Sequence, residues 1–314
     1  MCLTGAPAPG NVTTHVEPLS LTPRDARYPA LLAAIQSPPD LWVRGVFERD
    51  DALAIAVVGT RRATPYGLEV AERLAFELAA RGVTVISGLA RGIDTAAHRG
   101  ALTAGGRTIA VLGCGIDIAY PPENRALAGD IARQGAVISQ FAPGTPPLPG
   151  YFPARNRTIA GLALGVVVVE AGERSGALIT AGLAGDLGRE VFAVPGRITS
   201  ETSRGSNRLI QDGAKLVRDW TDIVQELPNP WRRAVRAPRI ERGEGERPVA
   251  DSEEARVLAM LRPDEPQHIE ALIARSATNP ARVAATLLAL ELGGWARQLE
   301  GQRWVSVAVR AGRA

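Results

Sequence analysis

From Leu53 to Val217 short, nearly unbroken apolar runs alternate with longer amphipathic stretches. The runs are Ala54–Val58, Val83–Ile86, Thr108–Leu112, Ala136–Ile138, Val166–Val169, Glu190–Val194 and Lys215–Val217. Helices fit between them at Leu68–Arg81, Thr95–Ala104, Glu123–Gln134, Asn156–Leu164 and Leu178–Leu187. Strands alternating with helices signal βαβ units and a parallel sheet. The unbroken hydrophobicity of Val166–Val169 is that of a strand covered on both faces. The pattern predicts a Rossmann-like, doubly wound α/β domain over residues 50–227.

The pattern changes on both sides of this domain. Residues 1–49 are punctuated by Pro18, Pro23, Pro29, Pro38 and Pro39 around one short helical stretch, Ala30–Ile35, and read as a lead-in packing on the core. Residues 228–251 are rich in proline, glycine and charge without a period, which reads as a solvated linker. From Ser252 to the end, three short helices precede a hairpin around Glu300-Gly301-Gln302, the order of a winged-helix domain. The third helix, opening at Asn279-Pro280, offers Arg282 as its one cation, which favours a protein contact over reading a DNA groove.

Composition narrows the classes. The 314 residues are 46% hydrophobic and 22% charged, a globular balance, and suit about two domains at roughly 150 residues each. No apolar run is long enough for a membrane span, and the N-terminus lacks a charged region followed by an apolar stretch, so the expected location is the cytoplasm. Net charge is +3, with Lys215 the sole lysine. Arginine suits bidentate phosphate contacts, although a uniform preference for it also follows from genomic base composition. Two cysteines and three histidines form no metal-ligand spacing, and Cys114 reads as a small residue in a tight loop rather than a nucleophile. No cofactor is expected.

Candidate chemistry gathers at the strand ends, where open α/β sheets bind ligands. Gly59-Thr60-Arg61 follows the first run, Ser87-Gly88 with Arg91 the second, and Gly113-Cys114-Gly115 the third, ahead of Tyr120-Pro121-Pro122. Glycine lets a phosphate approach backbone amides beside a helix start, and a nearby arginine can close over it. One such exit is explained by tight packing alone; three on one edge imply an anion-binding rim. None carries a dinucleotide or P-loop fingerprint.

The loop Phe152-Pro153-Ala154-Arg155-Asn156-Arg157 places two arginines around an asparagine beside an aromatic, the combination that grips and stacks an unpaired strand. Phe152 fits a core plug equally well. Ser175 opens a later helix, and Gly205-Ser206-Asn207 reads as a turn. Glu170 is the expected buried acceptor for Arg157 or Thr180, since no partner acid or base is evident. An enzyme hydrolysing nucleotides, the competing class, would need Glu170 or Asp94 as its acid or base.

The order of VGTRRATPYG (58–67), SGLARGIDTAAH (87–98), FPARNRTIAGL (152–162), VVEAGERSGALITA (168–181) and GSNRLIQDGAKL (205–216) resembles the DNA-processing family DprA, also called Smf. The resemblance implies a homodimer that binds single-stranded DNA, not an enzyme. It also implies protection of incoming DNA in natural transformation, and loading of the recombinase RecA onto strands coated with single-stranded-DNA-binding protein. Family DNA contacts map onto Arg61, Arg155 and Arg157, with Arg91, Ser175 and Asn207 as further members. Two departures stand out. Ser139-Gln140-Phe141 replaces a stretch that is often acidic in the family, and about 50 leading residues leave no room for the helical N-terminal domain many members carry.

Overall fold

A computed structural model describes residues 18–236, 252–263, 265–276, 278–292, 295–299 and 301–306. The residues before 18, most of the linker from 237, and the tail after 306 lie outside it. So do the expectations about the leader and about the linker's arginines beyond Arg236.

The lead-in forms β1 (Leu19–Leu21), α1 (Ala30–Ala33) and β2 (Leu41–Gly45). It therefore supplies two strands besides the expected helix. The core continues as β3 (Ala54–Val58), α2 (Pro65–Ala80), β4 (Thr84–Ser87), α3 (Ile93–Thr103), β5 (Thr108–Leu112), α4 (Arg125–Gln134) and β6 (Ala136–Ser139). It closes with α5 (Tyr151–Leu162), β7 (Gly165–Val168), α6 (Gly176–Asp186), β8 (Glu190–Ala193), α7 (Arg204–Gln211), β9 (Lys215–Leu216) and α8 (Trp220–Glu226).

Nine described strands form one sheet in the order β1-β2-β6-β5-β4-β3-β7-β8-β9. It is parallel from β6 to β9, while β1 and β2 pair antiparallel at the β6 edge. The chain therefore forms the expected doubly wound α/β domain. The central strands β3 to β7 are buried along their whole length. One face packs Ile55, Val57 and Val85 against α2, α3 and α8; the other packs Ala56, Val58 and Val166 against α1, α5 and α6. These opposed faces consume both sides of the central strands, which is why their runs show no alternation.

Past the core, α9 (Asn229–Ala234) makes helical the first part of the segment expected to be linker. Its Trp231 packs on the α2 side of the core, and Arg236 pairs with Asp50. The C-terminal part holds α10 (Glu253–Met260), β10 (Gln267–His268), α11 (Ile269–Ser276), α12 (Pro280–Leu292), β11 (Ala296–Leu299) and β12 (Arg303–Ser306). Three helices and a three-stranded sheet ordered β10-β12-β11 make the winged-helix unit. Its hairpin sets Leu299 and Val305 against the α2 face, and Arg297 donates to the Thr103 carbonyl at 2.6 Å. Arg282 of α12 is paired with Glu253 at 2.6 Å.

Candidate nucleic-acid interface

The carboxyl ends of β5, β4, β3 and β7 open onto a cleft of roughly 320 Å3 and an adjoining crevice about one water in size, 20 Å3. Three local devices shape it. Thr64 caps α2, accepting from the Gly67 amide with Pro65 in the first position. Its amide and hydroxyl in turn both donate to Glu170, at 2.9 and 2.6 Å, tying the β7 exit to the start of α2. Gly67 makes room for this tie, because a Cβ would lie 2.3 Å from the Glu170 carboxylate. The third device is Ser175, which accepts from the Ala177 amide and caps α6, leaving Gly176 exposed at a helix N-terminus that faces the cleft.

Gly59, Thr60, Arg61, Phe152, Asn156 and Ser175 line the cleft; Gly88 and Arg91 line the crevice, and Arg155 lies at both. Arg61 is exposed, has no ion pair among the described residues, and lies 5.1 Å over the Phe152 ring. Phe152 is half-buried with Tyr120 at 6.0 Å, so one edge plugs the crevice while the ring borders the cleft. Gly113 permits this, since a Cβ would meet the ring at 2.8 Å.

Arg155 is not a free cation. It is 5% exposed, and one guanidinium nitrogen donates to the carbonyls of Gly88 and Val111 at 2.5 and 2.7 Å. It holds the β4 and β5 exits together from beneath. Asp94 sits above it, accepting from the amides of Gly88 and Ala90 at 3.1 and 3.3 Å. Burial raises the Asp94 pKa, and the charge of Arg155 together with those two amides opposes the rise. Asp94 thus closes the turn before α3, and the helix opens at Gly92 with a φ of 73°.

Three expected contacts lie elsewhere. Arg157 turns away to donate to the Gln36 carbonyl of the lead-in at 2.6 Å. The Ser87 hydroxyl is fully buried and donates to Val57 O. Asn207 sits on helix α7, not in a turn, and clasps both the amide and the carbonyl of Gly196. Arg91, though at the crevice, is paired with exposed Glu123. Glu170 is the buried acceptor anticipated, with Thr64 and Thr202 in place of Arg157 or Thr180. Burial pushes the Cys114 thiol up to about 11, so it stays protonated in its loop.

Tyr120, Pro121, Arg62 and Thr180 also line the two cavities. Tyr120-Pro121 was visible as an aromatic beside the third exit, and Arg62 as the second of two arginines; Thr180 was singled out only as a partner for Glu170, not as a wall of the cleft. Among the described residues no helix is long and apolar enough to cross a membrane.

With both acids engaged in hydrogen bonds, the cleft presents an exposed guanidinium, a helix N-terminus and a partly exposed aromatic ring. That set suits a phosphate with a neighbouring flat apolar group.

Comparison with known proteins identifies the family of both folded parts. Residues 20–228 match the model of the family DNA recombination-mediator protein A, and residues 244–302 match that of the DprA winged helix domain. Protein Smf of Escherichia coli is 39% identical over 284 residues, covering 90% of this chain and 76% of that protein. The X-ray structure of DNA processing protein A from Streptococcus pneumoniae superposes with a TM-score of 0.64 at 43% identity, over 68% of this chain and 75% of that one. The DNA processing protein A of Helicobacter pylori, described for its single-stranded DNA binding mode, gives 0.60 at 30% identity, over 67% and 95% of the two chains.

Proposed function

The chain belongs to the DNA recombination-mediator protein A family, and from that premise we propose that it binds single-stranded DNA along the carboxyl edge of its sheet. The observation that carries this is Arg61, exposed and without an ion pair among the described residues, poised over Phe152 in the cleft that the α6 N-terminus also lines. A guanidinium and helix amides suit a backbone phosphate, and an aromatic face accepts any base, so binding is without sequence preference. Gly59, Thr60, Gly88, Asn156 and Ser175 shape the groove, and Arg91 joins once it leaves Glu123. Arg155 acts by positioning the groove from below.

In the cell this binding protects incoming strands during natural transformation and loads the recombinase RecA onto strands coated with single-stranded-DNA-binding protein. The description of the matched family as recombination mediators supports that role. The protein works as a homodimer; β9 at the end of the described sheet, with exposed Leu216, supports such pairing. The winged-helix unit contributes a protein contact, since the cation of its third helix is already paired.

The test is binding of a mixed-sequence single-stranded oligonucleotide by Arg61→Ala. A loss of at least tenfold at fixed salt, with an unchanged unfolding midpoint, is the expected result; parent-like affinity would remove the cleft from consideration.

A further inference from the structure

A third cavity, about 780 Å3, lies beside the cleft on the same sheet edge. It is bounded by Thr64 to Tyr66 at the start of α2, by Glu170 after β7 and by Pro195 to Ser203 after β8. Tyr66 is 48% exposed, yet its hydroxyl donates to the Pro195 carbonyl at 3.1 Å, so the ring is fixed while a face stays open. Arg197 on the rim is exposed and has no ion pair among the described residues. Glu170 is 2% exposed, and Thr64 and Thr202 already donate to its carboxylate. A cation would have to compete with those hydroxyl and amide donors.

We propose that this cavity holds a further nucleotide of the same bound strand, its base against Tyr66 and its phosphate at Arg197. The proposal rests on the single-strand reading above, and continuity selects the occupant. In the order β5-β4-β3-β7-β8, the cleft and crevice take the exits of β5 through β7, and this cavity takes the next one. A fixed, half-exposed tyrosine stacks a base at little entropic cost, and any base has the face it needs. The buried carboxylate sets the orientation: it repels a phosphate and admits a base, which leaves the phosphate outward at Arg197.

Length provides the discriminating readout. Five strand exits at roughly 4.8 Å spacing make a track of ~19 Å. At the 3.4 Å rise of one strand in B-DNA this is about five or six nucleotides, fewer if unstacked. Removing the last exit shortens it by about one or two.

The experiment titrates oligothymidylates of about 3 to 12 nucleotides, bracketing that track, against the parent, Tyr66→Ala, Arg197→Ala and Tyr66→Phe at one salt concentration. In the parent, affinity rises with length to a plateau. In Tyr66→Ala and Arg197→Ala the plateau should arrive one or two nucleotides earlier and lie roughly tenfold weaker, in the range for loss of one stacked base. The shortest oligonucleotide should bind as to the parent, and Tyr66→Phe, which keeps the ring, should retain most of the plateau. Either of two results overturns the subsite: a length dependence identical to the parent's, or equal weakening at every length. If the parent binds none of the oligonucleotides, the single-strand reading itself fails and takes the subsite with it.

Discussion

Replacing Arg155 by alanine should damage the fold first and DNA binding as a consequence. The side chain is 5% exposed and donates to the carbonyls of Gly88 and Val111 and to Asn156 Oδ1. Its removal strands these acceptors, at about 1–3 kcal/mol for each that water does not reach. It also withdraws the charge that offsets buried Asp94, and leaving a buried charge uncompensated costs about 3–5 kcal/mol. The contributions overlap, so we expect a loss of about 3–5 kcal/mol overall. At about 2–4 °C per kcal/mol for a domain of this size, the melting temperature should fall by roughly 6–20 °C. The pH dependence carries a sign. The Asp94 pKa is already raised above 3.8 by burial, and loss of Arg155 raises it further. The cost of the ionised carboxylate is therefore full above that raised value and disappears as pH falls through it toward 3.8. Urea unfolding of parent and variant at neutral pH and near pH 4.5 checks both points, with the gap between them narrower in acid. A variant within 1 kcal/mol of the parent at neutral pH that nevertheless loses DNA binding would refute the reasoning and make Arg155 a direct phosphate contact.

Three further outcomes follow from the same geometry. Glu123→Gln should free Arg91 and tighten single-stranded DNA binding a few-fold at low salt in a fluorescence titration, with the unfolding midpoint unchanged because the pair is exposed; an unchanged affinity would mean Arg91 does not reach the strand. Gly67→Ala places a Cβ 2.3 Å from Glu170, so denaturant unfolding should show a loss of about 1–3 kcal/mol, and a neutral effect would mean that the strut relaxes freely. Buried His98 has its pKa lowered from 6.5 to about 3 by burial, with the charge of Arg155 adding to this, so the stability its neutral form confers is complete above 6.5 and is lost as pH falls toward 3. His98→Gln should flatten that acid limb in urea midpoints measured from pH 7 to 4; an equally steep limb would assign the loss to other groups.

The sheet was legible because unbroken apolar runs mean strands buried on both faces. The run Ala54–Val58 is β3 to the residue. Strands β1 and β2 were not legible, being short, flanked by prolines, and made strands through the pairing of β2 with β6 about ninety residues away. Helix α7 was masked by the turn-forming Gly205-Ser206-Asn207; its start is held by tertiary contact, the Gly205 amide donating to Ala171 O at 2.7 Å. The separation of Arg155 from Arg157 traces to one boundary. With α5 starting at Asn156, Arg155 and Arg157 would flank the asparagine at a loop-to-helix junction and share a ligand. The helix begins at Tyr151, so residues two apart point about 200° apart around it, and one goes beneath the cleft while the other goes to the lead-in. Pro153, acceptable in a first helical turn, was the available sign of that earlier start. Arg61 was legible because a glycine-threonine-arginine exit after a buried strand leaves a long cation only the open edge to occupy.

The most direct measurement is the salt dependence of single-stranded DNA affinity for the parent and for Arg61→Ala. If Arg61 neutralises one phosphate in the cleft, the variant should bind at least tenfold more weakly and its plot of log K against log salt should be shallower by about 0.7, the share of one contact on a single strand. Equal affinity with a parallel plot would place the strand somewhere other than the carboxyl edge of this sheet.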